Sequence, residues 1–554
     1  MITLKNLKKS SFIEGTFIAT FAIVFTKILG MLYVIPFYAT VGIKGGALYA
    51  YAYNIYVLFI DISTAGLPNA ISKVINEYHT LGKEEAKVRA YSLGKTLVRF
   101  IAITSFIVLF IFAKQIALLI ISDLKGGNTI EDVAFVIRCI SFAILVIPFL
   151  SVARGYLQGH RVINISSISQ VIEQVARVLV IILGSYLALK VFHLSLRNAV
   201  GIAVFGAFVG GLLAYFYVRY KIHKNKHELS LDIKFKEKDE ISNKEIIKKI
   251  ISYAIPVVII SVSISIYNFI DMVLILRTMD YLKYSALKTE FVTSAISTWC
   301  SKINVIITAI GAGMTTSLIP TIVNSYTLGK WDDVAKTFNK ALQIIFVISL
   351  PMVVGIALLA KPVWTIFYAY NHIGVIILTL NIFVALFLNL FMITNFTLQS
   401  VNKFKMVYIS VLGGFVTNAL LDIPLMLLFS KIGIPPYFGA IVATMLGYSL
   451  SILTTMMFFK VKYKFHYRKT ILVCLKTLVP LALMAGVVVG IRFIMPATNT
   501  KLISVVICGV CGVIGALVYA FISYKMNILQ DVFGKEYLNK IIKKLTFGKV
   551  SIKD

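Results

Sequence analysis

An all-α, polytopic membrane fold of about fourteen transmembrane helices is what the sequence predicts, from its composition, its recurring apolar runs and the placement of its charges. Of 554 residues, 59% are hydrophobic and 14% charged, and the mean hydropathy is +0.88, a balance foreign to soluble domains. Runs of roughly 20 apolar residues recur along the chain, each long enough to cross a hydrocarbon core of about 30 Å as a helix. Lys and Arg number 55 against 24 acids, for a net charge of +31. In a membrane chain that excess fits loops facing an anionic leaflet, so no nucleic-acid partner is expected.

The spans read 12–40, 47–79, 91–121, 132–158, 162–190, 196–220, 248–278, 293–326, 335–360, 373–400, 405–430, 436–460, 470–494 and 500–525. Lys5, Lys8 and Lys9 precede a run that carries Glu14 and Lys27 and no small-residue cleavage site, which predicts a retained first helix. An even number of crossings puts both termini on one side. Basic segments at 79–95, 154–161, 221–249 and 460–469, and the tail with Lys540, Lys543 and Lys544, make that side cytoplasmic, whereas 122–132 and 496–501 carry few positive charges.

The polar stretch 221–249 divides the chain. The expected organisation is an N-terminal lobe at 1–220, a basic cytoplasmic loop at 221–247, a second six-helix lobe at 248–460, two extra helices at 461–526 and a basic tail at 527–554. The halves echo each other: Thr80-Leu81-Gly82-Lys83 returns as Thr327-Leu328-Gly329-Lys330, and Leu157-Gln158 as Leu398-Gln399. With six crossings between the copies, the repeat is parallel and predicts a central cavity between two lobes.

Signatures of catalysis are missing. Gly94-Lys95-Thr96 imitates the end of a phosphate loop, but Arg89 stands where the first glycine is needed and no strand precedes it. The close pair Cys508 and Cys511 lies in an apolar run without histidine, which predicts packing rather than a metal or redox site. Charge inside the helices is the informative feature, because each such residue costs about 2.5 to 3.5 kcal/mol on insertion scales. The candidates are Lys27, Asp61, Lys73, Arg154, Glu173, Arg177, Asp271, Lys302 and Asp422. Glu173 and Arg177 are four apart and read as a structural pair as readily as a ligand site. Arg154 and Lys73 lie near helix ends, where snorkelling is the alternative. Lys27 and Lys302 lie deeper, and together the basic residues suggest a cationic cavity suited to a diphosphate. Asn418 and Asp422, also four apart, share a helix face; with Asp271 and Thr444 they could offer oxygens to a sodium ion, against the alternative that Asp422 hydrogen-bonds a neighbouring helix. Gly66, Pro68, Pro36 and Pro148 interrupt their helices and allow bending.

Four stretches carry a resemblance: Leu48-Tyr49-Ala50-Tyr51-Ala52-Tyr53-Asn54-Ile55-Tyr56, Ile62-Ser63-Thr64-Ala65-Gly66-Leu67-Pro68, Arg154-Gly155-Tyr156-Leu157-Gln158-Gly159 and Gln170-Val171-Ile172-Glu173-Gln174-Val175-Ala176-Arg177-Val178. They resemble the polysaccharide-biosynthesis branch of the multidrug/oligosaccharidyl-lipid/polysaccharide exporter superfamily, and within it the SpoVB and YtgP group of MurJ-like proteins. The resemblance implies two six-helix lobes, two C-terminal helices forming a groove for a polyprenyl tail, and outward transport of lipid II by alternating access. It also implies basic cavity residues on the first, second and eighth helices, where Lys27 and Lys302 fit, and a sodium site in some members. Tyr33 departs from the family by standing where many members carry an arginine. The expectation is therefore a non-enzymatic flippase of the bacterial plasma membrane, with a monomer favoured over a higher oligomer and no cofactor other than a candidate sodium ion. A flippase for another undecaprenyl-linked glycan is the alternative, and a cation-coupled drug exporter is disfavoured by the basic residues.

Overall fold

A computed structural model describes residues 12–64, 66–121, 126–160, 162–229, 231, 241–496, 500–534 and 538. Lys5, Lys8 and Lys9, Ala65, Arg161, most of 230–240 and the tail lysines Lys540, Lys543 and Lys544 lie outside those residues. Among the described residues the protein is helical throughout and contains no strand. Its packing divides into two units, 1–298 and 299–554, so the division falls beyond the polar stretch at 221–249.

The first unit comprises α1 (Phe12–Leu32), α2 (Val34–Thr64), α3 (Leu67–Thr80), α4 (Glu84–Ile111), α5 (Ala113–Ile121), α6 (Ile130–Gly159), α7 (Ile163–Leu179), α8 (Leu196–Lys224), α9 (Asn243–Tyr281) and α10 (Ala286–Ser294). The second comprises α11 (Cys300–Thr327), α12 (Trp331–Leu358), α13 (Ala360–Tyr368), α14 (His372–Ser400), α15 (Phe404–Lys431), α16 (Tyr437–Tyr463), α17 (Arg468–Ile494), α18 (Lys501–Lys525) and α19 (Ile528–Phe533). The long helix α9 belongs with the first unit because it packs on α2, α3, α4 and α5.

Among the described residues, thirteen helical stretches are long and apolar enough to cross a membrane. The first of them, Ala22–Thr80, spans 59 residues, more than twice what one crossing needs. It is broken at Gly42, where φ is 66°, and again after Thr64, where α3 restarts with Pro68 in its first turn, a position at which proline costs no hydrogen bond. Large apolar side chains on α17 and α18 stay exposed, including Phe493, Ile494 and Leu502; in a bilayer they meet lipid rather than water.

Backbone geometry reproduces the internal echo. At the end of α3, Lys83 N–H donates to Tyr78 O at 2.9 Å and Gly82 N–H to His79 O at 3.2 Å; at the end of α11, Lys330 donates to Ser325 O at 2.9 Å and Gly329 to Tyr326 O at 3.0 Å. Gly82 and Gly329 both adopt φ 71°, the left-handed C-cap that favours glycine. The weaker echo also closes alike: Val162 N–H donates to Leu157 O and Lys403 N–H to Leu398 O, both at 2.9 Å.

One polar clamp of the first unit had no signal in the sequence. Glu290 of α10 is fully buried, and its Oε1 accepts from the backbone N–H of Asn128 at 2.6 Å and from its side-chain amide at 3.0 Å. The same amide donates to Lys44 O at 3.0 Å, so one side chain ties the segment before α6 to α2 and α10. Asn128→Ala strips this carboxylate of a buried donor and is expected to cost about 1 to 3 kcal/mol. A thermal unfolding midpoint unchanged in detergent would refute that role.

A charged cluster, an apolar groove and a buried oxygen set

Arg154, Glu173 and Arg177 meet in the first unit. Glu173 accepts from Arg177 Nη2 through Oε1 at 2.7 Å and from Arg154 Nη1 through Oε2 at 2.9 Å, and Arg154 Nε donates to Ser169 Oγ at 2.7 Å. Two cations share one carboxylate, leaving a single net positive charge. Arg177 also reaches the hydroxyl of Tyr56 and lies beside Tyr53 and Tyr49. These tyrosines recur at i, i+4 and i+7 of α2, so one helical face presents all three. That spacing was the available sign of an aromatic wall around Arg177. Tyr33 joins it through a 3.0 Å contact with the Tyr49 hydroxyl.

Local sequence explains how α6 delivers Arg154. In Arg154-Gly155-Tyr156-Leu157-Gln158-Gly159, residues 154 and 158 point to α7, where Gln158 Nε2 donates to Ser166 Oγ at 2.9 Å. The glycines point the other way. A Cβ on Gly155 would meet the Pro68 backbone, and one on Gly159 would meet Ile75 and Ser72 O, so glycine is what lets α6 lie directly on α3. Tyr156 fixes the remaining side, stacking on Tyr91 with centroids 4.1 Å apart and donating to Leu229 O at 2.7 Å.

The remaining basic candidates are placed separately. Lys27 is half-buried on α1, one turn before Gly30, which lies against the Gln174 amide of α7; it therefore approaches the helix that carries Glu173 and Arg177. Lys73 is exposed on α3, with Nζ 3.9 Å above the ring of Tyr253 on α9, and beside it Lys249 Nζ donates to Glu77 Oε1 at 2.6 Å. Asp61 accepts a hydrogen bond from Ser265 of α9, a partner the sequence did not suggest. Lys302 is half-buried on α11 in the second unit.

Asn418, Asp422 and Thr444 are all buried in the second unit, where Asn418 Nδ2 lies 3.4 Å from both Asp422 Oδ1 and Thr444 Oγ1. Asp271 is buried in the first unit, on α9. The second unit also holds an apolar groove of about 440 Å³ between α12, α13, α17, α18 and α19. Cys508 and Cys511 line it together with Gly512 and Gly515, and Tyr519 turns its hydroxyl away by donating to Val347 O at 2.7 Å.

Such an arrangement defines a multi-pass helical membrane protein that carries paired charge in one unit and an apolar groove in the other. The chain belongs to the polysaccharide biosynthesis protein family, which it matches over residues 12–326. It is 31% identical over 542 residues to the lipid II flippase MurJ of Bacillus subtilis (strain 168), covering 95% of this chain and 97% of that one. A solved structure of lipid II flippase MurJ in an inward closed conformation superposes with a TM-score of 0.67 at 17% identity, covering 92% of this chain and 99% of the other. An inward-facing multidrug resistance MATE family transporter of the MOP superfamily gives 0.60 at 15% identity, over 79% and 96% of the two chains. Those two structural likenesses speak for the shared helical fold.

Proposed function

We infer that the protein is a flippase that carries lipid II, the polyprenyl-diphosphate-linked peptidoglycan precursor, from the inner to the outer leaflet of a bacterial plasma membrane by alternating access. The carrying observation is the 31% identity to B. subtilis MurJ along nearly the whole of both chains. The site chemistry agrees with it. Arg154 and Arg177 share Glu173 and keep one net positive charge, and α1, which carries Lys27, packs on the same helix α7; positive charge of this kind favours a diphosphate over a cationic drug. The groove beside α17 and α18 is lined by apolar side chains, against which a long apolar tail packs by dispersion contacts. Both termini face the cytoplasm in this reading, as the positive-inside rule requires. Depleting the resident lipid II flippase of a bacterium and supplying this gene should restore growth and surface-exposed lipid II. Good membrane expression without rescue, together with rescue of a capsule-flippase mutant, would reassign the substrate to another polyprenyl-linked glycan.

Sodium belongs to the same proposal as a coupling ion. Asp422, Asn418 and Thr444 bring buried oxygen-bearing side chains together on α15 and α16, the donor chemistry that a hard cation takes. Its charge would offset the cost of a buried carboxylate. Asp271 lies in the other unit, so the proposal stands on these three residues. Asp422→Asn is expected to abolish any sodium stimulation of lipid II export while protein level holds. Sodium-dependent export that survives this substitution would remove the site from consideration.

A further inference from the structure

The second unit contains a cavity that the transport reading leaves unused. It measures about 960 Å³ and lies among the start of α12, the turn between α16 and α17, and α19. Lys336, Lys340, Lys464, Arg468 and Lys469 line it, against Asp332 and Asp531. Among the described residues five cations therefore line it against two carboxylates, one of the five, Lys336, also pairing with Asp333 at 3.5 Å.

Its walls are built from directional bonds. Thr470 Oγ1 donates to Asn339 Oδ1 at 2.7 Å, Gln343 Nε2 donates to Thr470 Oγ1 at 3.1 Å and Asn339 Nδ2 donates to His466 O at 3.3 Å. This relay fastens the start of α17 to α12. Lys464 is left-handed at φ 56° and ends α16, and the turn that follows is held by Phe465 stacked on Phe459 with centroids 4.9 Å apart and by Tyr467 donating to Met456 O at 3.0 Å. The cations therefore project from a fixed frame rather than from a loose loop.

Position relative to the groove gives the cavity its meaning. Lys336, Lys340 and Gln343 of α12 open to the cavity, and Val347, Pro351 and Gly355 of the same helix open to the groove. The steps of three or four residues place all six on one helical face. Between the two regions lies α19, with Ile528 and Val532 fully buried against Val347 and Val473. Leu529 and Phe533 of α19 border the groove, whereas Asp531 borders the cavity and its carbonyl accepts from Lys340 Nζ. One strip of α12 thus passes from a basic chamber into an apolar trough, as a lipid passes from phosphate to chain.

We propose that this chamber is a loading site for the diphosphate of the polyprenyl-linked substrate, whose chain lies in the adjoining groove before the headgroup is carried across. The proposal rests on the flippase reading for the identity of the lipid and on the positive-inside orientation for the cytoplasmic side. Charge selects the diphosphate: a phospholipid phosphodiester brings a single negative charge, whereas two linked phosphates on one chain match the excess of basic side chains. Lys and Arg donors hold such oxygens by charge-assisted hydrogen bonds, and their exposure leaves the headgroup sugars free to remain in water.

The test uses the purified full-length protein in zwitterionic nanodiscs and a sugar-free polyprenyl diphosphate as probe, with uncharged polyprenol as the groove control. The Lys340→Gln/Arg468→Gln/Lys469→Gln variant should bind the diphosphate at least tenfold more weakly and the polyprenol unchanged, and Lys340→Arg/Arg468→Lys/Lys469→Arg should retain binding. Gly512→Leu, which fills open space in the groove, should weaken both ligands. Wild-type affinity for the diphosphate in the neutralised variant would overturn the proposal, as would soluble pyrophosphate or an anionic phospholipid competing as well as the lipid diphosphate. Because the probe lacks sugars, failure of lipid II complementation would leave this result standing, and failure here would leave complementation standing.

Discussion

Glu173→Ala is expected to destabilise the protein, by no more than the roughly 3 to 5 kcal/mol that removing one partner costs in a fully buried ionic set, because these side chains are only part-buried. Among the described residues the carboxylate is the counter-ion of Arg154, and it also pairs with Arg177; without it two guanidinium groups face each other with their mutual repulsion unscreened. Thermal unfolding in detergent measures the loss. A cycle with Arg154→Ala should show strong coupling, because the double variant leaves only Arg177 uncompensated. If Glu173→Ala unfolds at the wild-type temperature, or if the two substitutions add independently, the cluster is not a structural element. Glu173→Gln separates shape from charge, since the amide can still accept one hydrogen bond but cannot neutralise either arginine.

Lys27→Ala is expected to abolish complementation by this gene while leaving its membrane level normal. Lys27 is half-buried beside the α7 helix, and a charge-assisted hydrogen bond to a phosphate contributes about 1.5 to 3 kcal/mol, a factor of roughly ten to a hundred in transport. Lys302→Ala, in the second unit, should act in the same direction. Lys27→Arg keeps the charge and should keep part of the activity. If both alanine variants export lipid II at the wild-type rate, the anion-binding role falls, whatever becomes of the flippase reading.

Much of the fold is legible without coordinates because the bilayer imposes a strict rule: a spanning segment must be long, apolar and helical so that its backbone satisfies itself. The ends of α8, α14, α15, α16, α17 and α18 accordingly fall within a few residues of the spans read from hydropathy. Glycine placement was legible for the same kind of local reason, since Gly82 and Gly329 end their helices in a conformation other residues rarely adopt. The span read at 91–121 instead divides into α4 and α5, and the span at 47–79 breaks after Thr64, because apolar content measures length in the membrane and is blind to where the axis bends.

Sequence by itself determined that the chain crosses the membrane many times, that Glu173 and Arg177 share a helix face, and that basic residues outnumber acids; each depends on neighbours within a turn or two, or on composition. Tertiary structure alone decided that Arg154 completes the pair on α7, that Glu290 clamps the segment around Asn128, and that α9 packs with the first unit. It alone placed the basic chamber at 336–340 and 464–469 against the groove of α17 and α18. The physical reason is that hydropathy and helical period fix which face of a helix is polar, but a charge-assisted hydrogen bond is effective only over about 3 Å, and which distant helix stands within that reach is set by packing that no single segment encodes.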